Sequence, residues 1–315
     1  MEPKVHGGAG GLYPEPLLQY LGIAFRRVDP KFVGPREGGK VISLWGTDEE
    51  AGTYSESVGR RPLLQANDVG EIESYRWPKA DWFDCSQIKE ECERFEPYAI
   101  LGGAWSPIFC TACDLFGMET FLKNMYLKPE VVHAALDRIT DFYYELSEIV
   151  FESAEGRIDI FFIGDDYGCQ TGLLMSLPLW REFFKPRLAR LYGLGKRHGC
   201  TIMQHSCGSI RSIIPELIEI GMDVLDPIQV RAAGMDPREL KTAFGSNIAF
   251  HGAVDTQRTL PYGRPEEVRQ EVRSLIDTLG DGGGYILSGS QDLLPDIPVR
   301  NVLAMYEEAK VYRRR

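Results

Sequence analysis

From Tyr98 to the C-terminus, short runs of consecutive apolar residues alternate with longer amphipathic stretches. Tyr98-Ala99-Ile100-Leu101-Gly102, Ile158-Asp159-Ile160-Phe161-Phe162-Ile163, Cys200-Thr201-Ile202-Met203-Gln204, Asp223-Val224-Leu225, Asn247-Ile248-Ala249-Phe250-His251 and Gly284-Tyr285-Ile286-Leu287-Ser288 read as six strands. Between them, helical periodicity runs around Thr111–Tyr126, from Pro129 to Ala154, and over Pro178–Arg197, Ile210–Ile220, Pro265–Leu279 and Pro298–Tyr312. Pro129 suits a first helical turn, where a missing N–H costs nothing. Asp236-Pro237-Arg238-Glu239 opens one more helix as a capping box, with Asp at N-cap and Glu at N3. Buried strands alternating with helices of a dozen or more residues imply parallel βαβ units.

Upstream the pattern is weaker. Residues 1–35 are rich in Gly and Pro and carry one short helix, Pro14 to Leu21. Lys40-Val41-Ile42-Ser43-Leu44-Trp45-Gly46 reads as a strand, with Gly52-Thr53-Tyr54 returning as a hairpin. The expectation is an N-terminal extension with hairpin and barrel edge over 1–97 and a (β/α) barrel body carrying the site over 98–315, together one domain.

Composition narrows the class without naming a task. The chain has 315 residues, 43% hydrophobic and 26% charged, ordinary for a soluble globular protein. A net charge of −11 argues against generic nucleic-acid binding, which needs basic surface. No apolar run approaches the roughly 18 residues that span a bilayer, and the N-terminus lacks the pattern of a signal peptide. Seven scattered cysteines do not suggest a disulfide framework and favour a reducing cytoplasm.

The chemistry concentrates at His205-Ser206-Cys207-Gly208, at the end of a strand and before a helix. Side chains at i and i+2 of a strand share a face, so an imidazole and a thiol should converge there. His205 and Cys207 are residues that bind Zn²⁺; the plain alternative is a His and a small Cys packed inside the barrel top. Asp165-Asp166 follow the Ile158–Ile163 strand. Neighbours on an extended chain point oppositely, so one of the two is expected to enter the site, as metal ligand, partner of His205 or general base; the other reading is a solvated or helix-capping carboxylate. Cys110-Thr111-Ala112-Cys113 has no partner pair and reads as packing rather than redox or metal chemistry. The terminal Arg313-Arg314-Arg315 reads as a solvated tail.

From about Trp45 to Ala309 the chain resembles the uroporphyrinogen decarboxylase superfamily, and more closely its corrinoid-dependent methyltransferase branch. The resemblance rests on Gly164-Asp165-Asp166-Tyr167-Gly168-Cys169-Gln170-Thr171-Gly172, on His205-Ser206-Cys207-Gly208-Ser209-Ile210, and on Asp226-Pro227-Ile228-Gln229. It continues through Gly234-Met235-Asp236-Pro237, Phe250-His251-Gly252, Asp255, Gly283-Gly284-Tyr285-Ile286-Leu287 and Pro295-Asp296-Ile297-Pro298. It implies an α/β fold, a (β/α)8 TIM-type barrel with its site at the C-terminal mouth. The chain has no counterpart of the family's first strand–helix unit, so a barrel lacking that unit is expected. An Arg-Gln-Ala-Gly-Arg segment found there in the porphyrin decarboxylases is absent too, which weakens a porphyrin reading.

The resemblance places Asp165, Asp166, His205 and Cys207 in catalysis, with His205 and Cys207 on zinc. It places Trp105, Gln170, Gln229, His251, Asp255, Ser288, Ser290 and Gln291 around the substrate. Ser290 falls at or near the position of a second cysteine ligand, and Gln291 where many relatives have His, so a complete His-Cys-Cys set is missing. The activity implied is methyl transfer from a methylated corrinoid, presented by a small corrinoid-binding protein, to a small nucleophilic acceptor. Decarboxylation of a tetrapyrrole or other carboxylated substrate is the alternative, and a corrinoid- or tetrapyrrole-binding barrel without chemistry the third.

Overall fold

All six apolar runs after residue 97 form strands, and a seventh joins them from upstream. The computed structural model describes residues 14–37, 40–41, 44–47 and 60–312. Its main strands are β1 (Phe25–Arg27), β2 (Ala99–Gly102), β3 (Ile160–Gly164), β4 (Thr201–His205), β5 (Val224–Ile228), β6 (Ala249–Val254) and β7 (Tyr285–Gly289). They make one sheet in sequence order, β1 through β7. Pairing is parallel between β2 and β3, β4 and β5, β5 and β6, and β6 and β7. Helices fill the crossovers, as parallel strands require. This is the α/β arrangement of a TIM-type barrel, with seven rather than eight strands among the described residues.

The described residues of the expected strand at Lys40–Gly46 are not part of that sheet. Lys40–Val41 pairs antiparallel with Arg36–Glu37, upstream of it, while Leu44–Gly46 turns. The expected return arm, Gly52-Thr53-Tyr54, lies outside the described residues. The N-terminal strand of the sheet is instead Phe25-Arg26-Arg27, disguised by its two arginines. Arg26 is only 1% exposed because its guanidinium meets Glu15 bidentately, at 2.7 and 2.8 Å, and donates to the Ile23 and Phe25 carbonyls.

Three expected helices are shorter or broken, each for a local reason. Gly117, at φ +78°, divides one stretch into Ile108–Phe116 and Met118–Leu127. Pro186 interrupts the next, giving Leu177–Phe183 and Lys185–Arg197, since its ring cannot follow a preceding helical turn. Pro215 sits in the first turn of Ile214–Glu219, so residues 211–213 form turns before it. Among the described residues no helix is long and apolar enough to cross a membrane.

The chain divides into two compact units. The first takes the described parts of Val28–Asp165 together with Met175–Cys200. Its centre is the helix Pro129–Ala154, which buries Val132, Leu136, Ile139, Tyr143, Leu146 and Val150 on one face. The second takes the segment ending at Arg27, Asp166–Leu174 and everything from Thr201 onward, and so contains β4 to β7. Helix Pro265–Leu279 packs on β6 and β7, and helices Pro237–Phe244 and Val299–Val311 pack on that helix.

Candidate functional site

Strand β4 ends at His205, whose register partner on β5 is Asp226. Register partners on adjacent strands stand side by side, and Asp226 Oδ2 lies 2.6 Å from His205 Nδ1. The other oxygen, Oδ1, meets Nδ1 of His251 from β6. An ionised carboxylate only accepts, so each imidazole donates its Nδ1–H to it. His205 thereby turns Nε2 away from Asp226. That nitrogen lies 3.5 Å from Cys207 Sγ and 3.4 Å from Asp166 Oδ1.

Backbone donors hold the neighbouring loops. Cys207 N–H donates to Asp166 Oδ1 at 2.8 Å, and Gly208 N–H to Gln229 Oε1 at 2.6 Å. Tyr167 N–H donates to Ser206 Oγ at 3.1 Å, and Ser209 N–H to the Cys169 carbonyl at 2.7 Å. The approach of these loops needs glycine: Gly208 has φ +85°, and a Cβ there would fall 2.4 Å from the Gly168 carbonyl carbon. Gln291, beyond β7, donates from Nε2 to Cys207 Sγ at 2.7 Å.

The charges interlock. Burial works to raise the Asp226 pKa, but the two histidines hold it far below the ordinary carboxylate range. Burial would lower that of His205, yet its bonds to Asp166, Asp226 and Cys207 lift it well above the ordinary value. Asp166 is lowered: burial opposes ionisation, and His205 with the Cys207 N–H overcomes it. Burial pushes the Cys207 thiol up, and His205 recovers only part of the difference. Even with the His205 imidazolium beside it, that sulfur therefore stays a thiol at neutral pH unless a metal ion displaces its proton.

Asp166, His205 and Cys207 each offer one ligand atom, and these atoms lie within 4.8 Å of one another. Carboxylate oxygen, imidazole nitrogen and thiolate sulfur are all zinc ligands, and three of them leave a fourth position open. Ser290 supplies nothing to this set. It is 1% exposed, and its hydroxyl is engaged with the Thr256 N–H at 3.1 Å and the Thr256 hydroxyl at 3.0 Å. The oxygen of Asp166 stands where the expected set lacked a third donor.

The remaining candidates are dispersed. Asp165, 2% exposed, accepts from the backbone N–H of Phe109 and of Cys110, at the start of helix Ile108–Phe116. Its carboxylate caps that helix. Trp105 packs at 5.0 Å against the Phe162 ring, in the first unit. Gln170 is exposed, and its carbonyl accepts from Ala233 N–H. Asp255 caps the following turn through the N–H groups of Gln257 and Arg258 and pairs with Arg231 at 3.1 Å. Ser288 is half-buried, opposite Ala253 in register. Asp226 had been part of a motif without a task, although it is the residue on which both histidines depend.

Parallel strands in barrel order, with nitrogen, sulfur and oxygen donors at their C-terminal ends, define an α/β barrel-type protein with a candidate metal centre. Residues 57–312 match the uroporphyrinogen decarboxylase (URO-D) family profile, and the chain belongs to that family. A methylated-thiol–coenzyme M methyltransferase of Methanosarcina mazei is 26% identical over 170 residues, 53% of this chain and 42% of that protein. A uroporphyrinogen decarboxylase of Geobacter metallireducens is 24% identical over 228 residues, 70% of this chain and 62% of that protein. The chain spans about half the length of the curated relatives it matches. A solved methyltransferase from Methanosarcina mazei superposes with a TM-score of 0.65 at 20% identity, covering 93% of this chain and 82% of that one, which shows a shared fold. The relatives are thus methyltransferases and decarboxylases.

Proposed function

We propose that this chain transfers a methyl group from a methylated corrinoid, carried by a small corrinoid-binding protein, to a small nucleophilic acceptor, with zinc held by Asp166, His205 and Cys207. The observation that carries this reading is the convergence of those three ligand atoms within 4.8 Å. The name of the Methanosarcina mazei relative supports a thiol as the acceptor. Zinc bound there would supply the positive charge that keeps an acceptor thiol ionised at neutral pH.

The chain's own residues supply placement. Asp226 holds the His205 Nδ1–H, so Nε2 is the nitrogen that would bind an ion on giving up its own proton. The Cys207 N–H fixes the Asp166 oxygen, and the Gln291 amide sits against the Cys207 sulfur. Holding acceptor and methyl donor in line is the larger part of such catalysis.

Metal analysis of the purified protein tests the centre. About one zinc per chain is expected, lost in His205→Ala and reduced in Asp166→Ala; occupancy well below half in the unmutated protein removes the zinc-assisted version. Spectral loss of methylcobalamin with a thiol acceptor tests the transfer. The decarboxylase reading draws on the names of the other relatives. It needs cations to meet substrate carboxylates, whereas Arg231 is paired with Asp255 and Arg211 with Glu239. Carbon dioxide release from uroporphyrinogen would establish it instead, and tight corrinoid binding without turnover would establish the non-catalytic reading.

A further inference from the structure

We propose that His251 is a positioning residue for His205, acting through the carboxylate the two share. Its consequence for metal binding rests on the zinc reading above; its geometry does not. Asp226 is 6% exposed and His251 7%, and each carboxylate oxygen takes one imidazole N–H. A carboxylate held at both oxygens cannot rotate about its own axis. Held at one, it can swing, and the freed oxygen is a buried charge without a donor.

Strand geometry is arranged to deliver His251 to that oxygen. Phe250 opposes Leu225 and Gly252 opposes Ile228, so Asp226 and Pro227 on β5 face His251 alone on β6. An irregularity of this kind re-aims a side chain. Directly after it, Gly252 lies at φ +109° and Ala253 at φ +89°, the latter a conformation that side chains rarely adopt. The Tyr285 hydroxyl, donating to the Gly252 carbonyl at 2.9 Å, secures the distorted segment, and the Phe25 ring lies 5.8 Å from the imidazole.

The test compares His251→Ala with His251→Gln, which keeps an N–H donor for Asp226. Two quantities are read: the low-field Nδ1–H proton signal of His205, identified by its loss in His205→Ala, and the zinc dissociation constant measured against a chromophoric chelator. His251→Ala is expected to shift or abolish the His205 signal and to weaken zinc about tenfold. His251→Gln is expected to restore most of both, although it lacks the ring and so would not rescue a packing role. An unmoved His205 signal in His251→Ala overturns the proposal, as does a moved signal with unchanged zinc affinity. If the unmutated protein binds no zinc while the signal still follows residue 251, the metal reading fails and the positioning stands.

Discussion

Asp165 and Asp166 are neighbours in the chain with different hydrogen-bond partners. Asp165 accepts from two N–H groups at the start of a helix 55 residues upstream of it. Asp166 faces His205 and Cys207. Loss of the cap in Asp165→Ala is expected to cost about 2 kcal/mol by calorimetry while zinc content stays unchanged; loss of zinc at unaltered stability would show that Asp165 serves the site. The sequence could mark the pair and the opposition of their side chains, but not which one caps, because the capped helix is distant in sequence. His205 and Cys207 were legible through their i, i+2 spacing. Asp226 was not. Its role depends on which residue of β5 stands beside His205, and an Asp-Pro within an apolar run carries no sign of that alignment.

Elements were legible where hydrophobicity is continuous and illegible where charge interrupts it. Six strands of the sheet follow from apolar runs, whereas β1 carries a buried arginine neutralised by Glu15 from another element. Helix periodicity was likewise visible, but Gly117 and Pro186 end helices through backbone geometry that the period does not encode. The loops bearing the site meet at Gly168 and Gly208, where main chain lies against main chain. Gly208→Ala must both adopt a left-handed conformation and displace the Gly168 carbonyl. It is expected to destabilise by about 1–3 kcal/mol and to weaken zinc binding as Cys207 moves away from Asp166. A well-folded Gly208→Ala protein with full zinc affinity would show that the loops tolerate separation.

At the scale of the whole molecule, stability should depend on pH through a pair remote from the site. Glu308, 7% exposed in its side chain, receives Arg273 at 2.7 Å and joins helix Val299–Val311 to helix Pro265–Leu279. The hydrogen bond from Arg273 holds its carboxyl below the ordinary value, which is about 4.3. A depressed carboxylate stabilises the fold above the unfolded value and loses that contribution as pH falls through the folded one. Glu308→Gln is therefore expected to lower Tm by a few degrees at pH 7, with the gap to the unmutated protein closing once the pH drops below about 4. A gap that persists unchanged in acid would assign the loss to packing.

The pairing of β4 with β5 has one more consequence. Strand side chains alternate between faces, so a slip of β5 by a single position would set Leu225 or Pro227 beside His205 and send Asp226 to the opposite side. A chain misaligned in this way would keep its helices, its strands and most of its circular dichroism, yet have no anchored imidazole to offer a cation. Metal uptake during refolding would thus report the alignment of one strand pair, and would lag behind any signal that merely counts secondary structure.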